Sequence, residues 1–221
     1  MALSARAVPG AAIERGDTPT ARRAIFLDKD GTLVEDEALN VDTSRVRFYP
    51  EVFAALRLLQ RAGFALVIVT NQGGIAHGRF SETDVREMRS YLERRLQEAG
   101  ISLRGFYYCP HAPDGIIESY AINCLCRKPQ PGLLMQACGE LRIDLSQSWM
   151  VGDILHDVEA GRSAGCRTIL LNNGHETEWL LTESRWPDYI AETLLEAAQL
   201  ITRSAPHRPG QPTPERQEEE R

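Results

Sequence analysis

No apolar run in this sequence approaches the roughly 18 residues that a helix needs to cross a bilayer. The first 23 residues are rich in Ala and Arg but lack the apolar centre of a secretory signal, and Glu14 and Asp17 do not suit an Arg-rich transit peptide. Basic charge is also in deficit, with 25 Lys and Arg against 31 Asp and Glu, a formal charge of -6. A chain that neutralises nucleic-acid phosphates needs the opposite balance, so a nucleic-acid partner is not expected. Cysteine is scarce and unevenly placed: three of the five fall between 109 and 126. An odd number gathered in one place does not resemble the disulfide framework of a small secreted domain, and it points to a reducing, cytoplasmic compartment. There is no internal repeat. What remains is a soluble globular composition, 43% hydrophobic and 25% charged, with enough chain for one domain and a full core. We expect a monomer with no membrane partner.

Residues 1–22 read as a disordered leader and 23–202 as the folded domain. Residues 203–221 carry four prolines and a Glu-rich end, and read as a tail with too little apolar surface to offset its ordering entropy. Inside the domain, short apolar runs alternate with amphipathic stretches. Strands are expected at 24–27, 65–69, 105–108, 149–151 and 168–171. Helices are expected at 50–62, at 81–99 behind the capping-box-like Ser81-Glu-Thr-Asp84, from Pro131 to near Arg142, and at 157–164 before Gly165. Strands that are continuous apolar runs, alternating with helices, imply a parallel Rossmann-like sheet covered on both faces, a three-layer α/β/α sandwich. Ligands of such sheets bind at the carboxyl ends of the strands.

Polar residues do follow the strands. The first ends in Asp28-Lys29-Asp30-Gly31-Thr32. Two such carboxylates can face one cavity, where a divalent cation would relieve their repulsion, although a hydrated Asp-Gly turn reads equally well from this segment alone. The second strand ends in Thr70-Asn71-Gln72-Gly73-Gly74, a hydroxyl and a Gly-rich turn that offer donors to phosphate or simply turn the chain. Arg127 and Lys128 precede the third helix, as a cationic wall or a solvated pair. Asp153 and Asp157 follow the fourth strand, as ligands or as helix caps. Cys109-Pro-His111 and Cys124-Leu-Cys126 flank a loop of about a dozen residues. Three thiols and an imidazole make up the Cys₃His set of a closed structural zinc site. Cys138 and Cys166 read as small buried hydrophobes.

Acid pair, hydroxyl, Lys and acid, in that order, make the chain resemble the haloacid dehalogenase superfamily of phosphohydrolases over nearly the whole folded part. The resemblance implies that Asp28 is the nucleophile and forms an aspartyl-phosphate, with Asp30 as general acid and then general base. It implies Mg²⁺ held by Asp28, the main-chain carbonyl of Asp30, and Asp153, with Thr70 and Lys128 on the phosphoryl oxygens and Asp157 behind them. Within the superfamily the loop at 109–126 resembles a capless subgroup acting on heptose 1,7-bisphosphate or on histidinol phosphate. The fifteen positions from Cys109 to Cys124 fit the heptose branch, which serves bacterial heptose synthesis. That branch implies substrate contacts from Asp36, Asn71, Gln72, Gly73 and Arg127. Two departures stand against it: Glu37, Ala38 and Leu39 replace a usual His-Gly-Tyr after Asp36, and Ile154 replaces a Lys. Histidinol phosphate and other small sugar phosphates are the nearby alternatives. A phospho-acceptor signalling domain is the alternative of another class, disfavoured by Asp30 and the cysteine loop.

Overall fold

The computed structural model describes residues 21–36 and 41–204. The altered positions Glu37, Ala38 and Leu39, and nearly all of the expected leader and tail, lie outside the described residues.

The chain alternates strand and helix: β1 (Ala24–Leu27), α1 (Val52–Arg61), β2 (Ala65–Asn71), α2 (Glu82–Glu98), β3 (Leu103–Cys109), α3 (Gly132–Leu141), β4 (Trp149–Gly152), α4 (Leu155–Ala164), β5 (Arg167–Leu171), β6 (Tyr189–Ala191) and α5 (Leu194–Arg203). The strands form one parallel sheet in the order β3-β2-β1-β4-β5-β6. Successive side chains on a strand face opposite ways, and both sets are apolar in β1. Ile25 and Leu27 pack under α1, α2 and α5, with Leu56, Met88, Leu92 and Ile201. Ala24 and Phe26 pack under α3 and α4, with Leu134, Ala137 and Ala160. The three layers follow from that double-sided burial. Among the described residues no second domain covers the sheet, and no helix is long and apolar enough to cross a membrane.

Boundaries follow local chemistry. The helix before β2 begins at Val52, two residues later than read, because 49–51 form a turn. The capping box of α2 is formed: the Ser81 amide donates to Asp84 Oδ2 at 2.7 Å, and the Asp84 amide donates to Ser81 Oγ at 3.3 Å. Gly165 ends α4 in the left-handed region. Arg22, counted with the leader, already pairs with Ile143 through the main chain, and Arg203, counted with the tail, closes α5.

The strand order reverses direction between β1 and β4, both of which start their crossovers there. In an open parallel sheet this is where a crevice opens beyond the carboxyl ends of the strands. Asp28 follows β1, Asp153 follows β4, and Thr70 sits near the end of β2.

Candidate active site

The Asp28 amide continues the sheet by donating to Val151 O at 3.0 Å, which fixes the first carboxylate beside the end of β4. The carboxylates of Asp28, Asp153 and Asp157 converge, with an oxygen from each within 4.8 Å of the others, and all three residues are buried. Lys128 reaches between them: Nζ donates to Asp28 Oδ1 at 2.6 Å, to Asp157 Oδ1 at 2.5 Å and to Val69 O at 3.0 Å. Burial alone would lower the Lys128 ammonium, but Asp157 and Asp28 outweigh it and hold its pKa above the ordinary range.

One cation does not balance three acids. Burial, then the charges of Asp28 and Asp157, push Asp153 up to about 9, and burial pushes Asp157 up to about 6. Such a pocket fits a hard divalent cation, which takes carboxylate oxygens and would restore Asp153 to its anionic form. Asp157 is already committed, with Oδ1 on Lys128 and Oδ2 facing the Ile154 amide at 3.4 Å, so it sits behind the other two.

The turn after β1 brings back Asp30. Its Oδ1 accepts from Lys29 Nζ at 2.5 Å and its Oδ2 from Gln72 Nε2 at 3.1 Å. Burial raises the Asp30 pKa despite the Lys29 charge, which suits a carboxyl that must carry a proton. Gln72 Nε2 also donates to Thr70 Oγ1 at 3.0 Å, so hydroxyl, carboxamide and acid form one row. Asn71 has a different job: its Nδ2 donates to Lys128 O and its Oδ1 accepts from the Lys128 amide, both at 3.0 Å. Its carboxamide braces the lysine. Arg127 Nη1 donates to His111 O at 3.0 Å and lies over Gly73, where an added Cβ would come within 3.0 Å of it. Asp36 is exposed.

The Cys₃His set assembles. Cys109, Cys124 and Cys126 Sγ are 3.1, 3.3 and 3.5 Å apart, and His111 Nδ1 is 3.3 Å from Cys126 Sγ and 3.6 Å from Cys109 Sγ. These sulfurs are too far apart for disulfides, whose S–S length is about 2.0 Å. A tetrahedron with Zn–S of about 2.3 Å and Zn–N of about 2.0 Å has edges of about 3.5–3.8 Å, so the four atoms are gathered to within a few tenths of an ångström of the spacing that zinc would set, most of them slightly inside it. Burial pushes the Cys109 thiol up, and three adjacent sulfurs ionise together only around a cation.

Sequence reasoning missed several residues here. Lys29 was given no role, yet it is fully buried against Asp30. Burial and then the negative charges of Asp153, Glu35 and Asp36 raise the Tyr49 phenol, placing it among these acids. His175 Nδ1 lies 2.7 Å from Asp153 Oδ2. Lys29 lies inside the first motif, beside its partner in the chain; Tyr49 and His175 stand in no motif spacing, and only the fold brings them to the site. A separate groove of about 550 Å³, lined by Arg22, Arg23, Phe64 and Arg104 among others, lies at the amino ends of the strands, away from this chemistry.

Comparison with known proteins agrees with the geometry. Residues 125–197 match the HAD-hydrolase-like family model. The D-glycero-beta-D-manno-heptose-1,7-bisphosphate 7-phosphatase of Yersinia pestis is 43% identical over 148 residues, 67% of this chain and 79% of that protein. The enzyme of the same name from Pasteurella multocida is 39% identical over 183 residues, 81% of this chain and 97% of that protein. Among solved structures, the D,D-heptose 1,7-bisphosphate phosphatase of B. bronchiseptica, complexed with magnesium and phosphate, superimposes with a TM-score of 0.70 at 29% identity, covering 81% of this chain and 97% of that one. The chain therefore belongs to the haloacid dehalogenase-like hydrolases, in the family of the heptose-1,7-bisphosphate 7-phosphatases.

Proposed function

We propose that this chain is a magnesium-dependent phosphatase that removes the 7-phosphate of D-glycero-D-manno-heptose 1,7-bisphosphate and leaves the 1-phosphate. The observation that carries the chemistry is the buried triangle of Asp28, Asp153 and Asp157, with Lys128 bridging Asp28 and Asp157. The substrate rests on relatives at 39–43% identity that bear that activity in their names.

In the first step an Asp28 carboxylate oxygen attacks phosphorus. The bond from phosphorus to the sugar oxygen breaks, and that oxygen takes its electron pair and the Asp30 proton. In the second step a water oxygen attacks the aspartyl-phosphate and gives its proton to Asp30. The bond from phosphorus to Asp28 breaks, releasing inorganic phosphate and the free carboxylate. Thr70 and Lys128 hold the non-bridging oxygens as charge shifts between them. Asp28, the main-chain carbonyl of Asp30, and Asp153 would hold Mg²⁺, which supplies positive charge against the phosphoryl oxygens. Cys109, His111, Cys124 and Cys126 would hold zinc, which anchors the loop carrying Arg127. Arg127, Gly73 and Asp36 line the rim, where the remote part of the sugar binds. We place the protein in the cytoplasm as a monomer, a compartment that keeps the zinc thiols reduced.

The test is phosphate release in Mg²⁺ from the 1,7-bisphosphate, with the remaining monophosphate identified, alongside histidinol phosphate and a panel of sugar monophosphates. The 1,7-bisphosphate should have the highest kcat/KM, and Asp28→Asn should have no turnover. Full activity in Asp28→Asn would remove the nucleophile, and a preference for histidinol phosphate would remove the substrate.

A further inference from the structure

The segment after β5, residues 172–176, touches the site at three points. Asn173 Nδ2 donates to Gly31 O at 2.6 Å, His175 Nδ1 meets Asp153 Oδ2 at 2.7 Å, and Glu176 Oε2 accepts from the Leu155 amide at 2.6 Å. These contacts reach the turn after β1, the carboxylate after β4 and the first residue of α4. The fit is close: a Cβ on Gly31, whose φ is +76°, would fall 1.9 Å from Asp153 Oδ2 and 2.5 Å from His175 Nδ1. The other Asp153 oxygen faces Thr32 Oγ1 at 3.3 Å, so both oxygens have a partner.

We infer that residues 172–176 form a strap that positions Asp153 for the divalent cation, with His175 as its principal positioning residue. The inference rests on the proposed Mg²⁺ site. A carboxylate that ligates a cation is anionic and can only accept hydrogen bonds, so the imidazole Nδ1 is the donor and its tautomer is fixed. Held at one oxygen by His175, Asp153 cannot swing out of the crevice, and its free lone pairs stay aimed inward. Partners of this kind set cation affinity because the ligand no longer has to be ordered on binding. Asn173 completes the strap by fixing the turn that carries Asp30. Its Oδ1 is the one buried side-chain oxygen or nitrogen without a hydrogen-bond partner among the described residues, so Nδ2 makes the side chain's hydrogen bond to the site, to Gly31 O.

The experiment uses the full-length chain, and its first readout, cation binding, needs no sugar. Binding of Mg²⁺, or of Mn²⁺ followed by its paramagnetic resonance, is measured for the wild type and for His175→Ala, His175→Gln and Asn173→Ala. Thermal melts check that each variant folds. Affinity should fall about 10–100-fold in His175→Ala and recover in large part in His175→Gln, whose amide can donate to the same oxygen. At saturating Mg²⁺, kcat and the KM for the sugar phosphate should return to near the wild-type values. Folded variants that bind the cation within twofold of the wild type, or a Gln variant as weak as the Ala variant, would overturn the strap and leave the phosphatase reading intact. A wild type that binds no divalent cation would overturn both.

Discussion

Lys128 is enclosed by two carboxylates and a main-chain carbonyl, and almost none of it reaches solvent. Such a group stabilises the fold chiefly by its presence. Take it away, and Asp28 and Asp157 are left buried and facing each other. Lys128→Ala should therefore lower the unfolding free energy by about 3–5 kcal/mol, measured by urea denaturation without Mg²⁺. Saturating Mg²⁺ should restore part of that loss by replacing the missing positive charge. Asp30 poses a different case, because its oxygens face Lys29 and Gln72 at the rim of the triangle. Asp30→Asn keeps the shape and one donor contact but cannot exchange a proton. We expect kcat to fall about 10²–10⁴-fold with little change in melting temperature, read by steady-state phosphate release and a thermal melt on the same preparation.

Helix α2 stands on the capping box of Ser81 and Asp84. Ser81→Ala should lower the melting temperature by about 2–4 °C in a chain of this size. The hydrogen bonds from Ser81, its amide first, hold the Asp84 carboxyl below its ordinary value of 3.8. A depressed carboxyl stabilises the native state above the unfolded pKa and loses that contribution as pH falls through the folded one. Ser81→Ala keeps the amide bond and removes only the hydroxyl's, so its difference from the wild type should be largest at neutral pH and shrink in part below pH 3.8, checked by melts across that range. This cap was legible in the sequence, as were β1 to β5 and the order of the four acid, hydroxyl and lysine segments, because each is a local pattern. β6 was not, since Tyr189–Ala191 is three residues at a sheet edge and half exposed. α5 carried a readable signal in Thr193, Glu196 and the apolar series Leu194, Ala197, Ala198 and Ile201, and could have been found. His175 carried none. A lone His in a loop becomes informative only when β5 sets it against β4.

At the scale of the molecule, the crevice between β1 and β4 holds the buried carboxylates, and the cysteine loop carries Arg127. Elemental analysis should find about one zinc per chain. Cys124→Ser should lose it and raise the KM for the bisphosphate more than it lowers kcat, because Arg127 is held through His111 while Lys128 is held separately. That separate hold has a wider consequence. Asn71 grips the main chain of Lys128 from the tip of β2, and Cys109 is the last residue of β3, so both ends of the loop are pinned to the sheet. Doubling the length of a tethered segment adds only about 0.6 kcal/mol of closure entropy. A longer stretch between 112 and 123 would therefore cost the fold little closure entropy, and what it would give up are the contacts that now seat it on the body: the Ile116 and Ile117 amides on Ala76 O, and the Tyr120 hydroxyl on Glu82 Oε1.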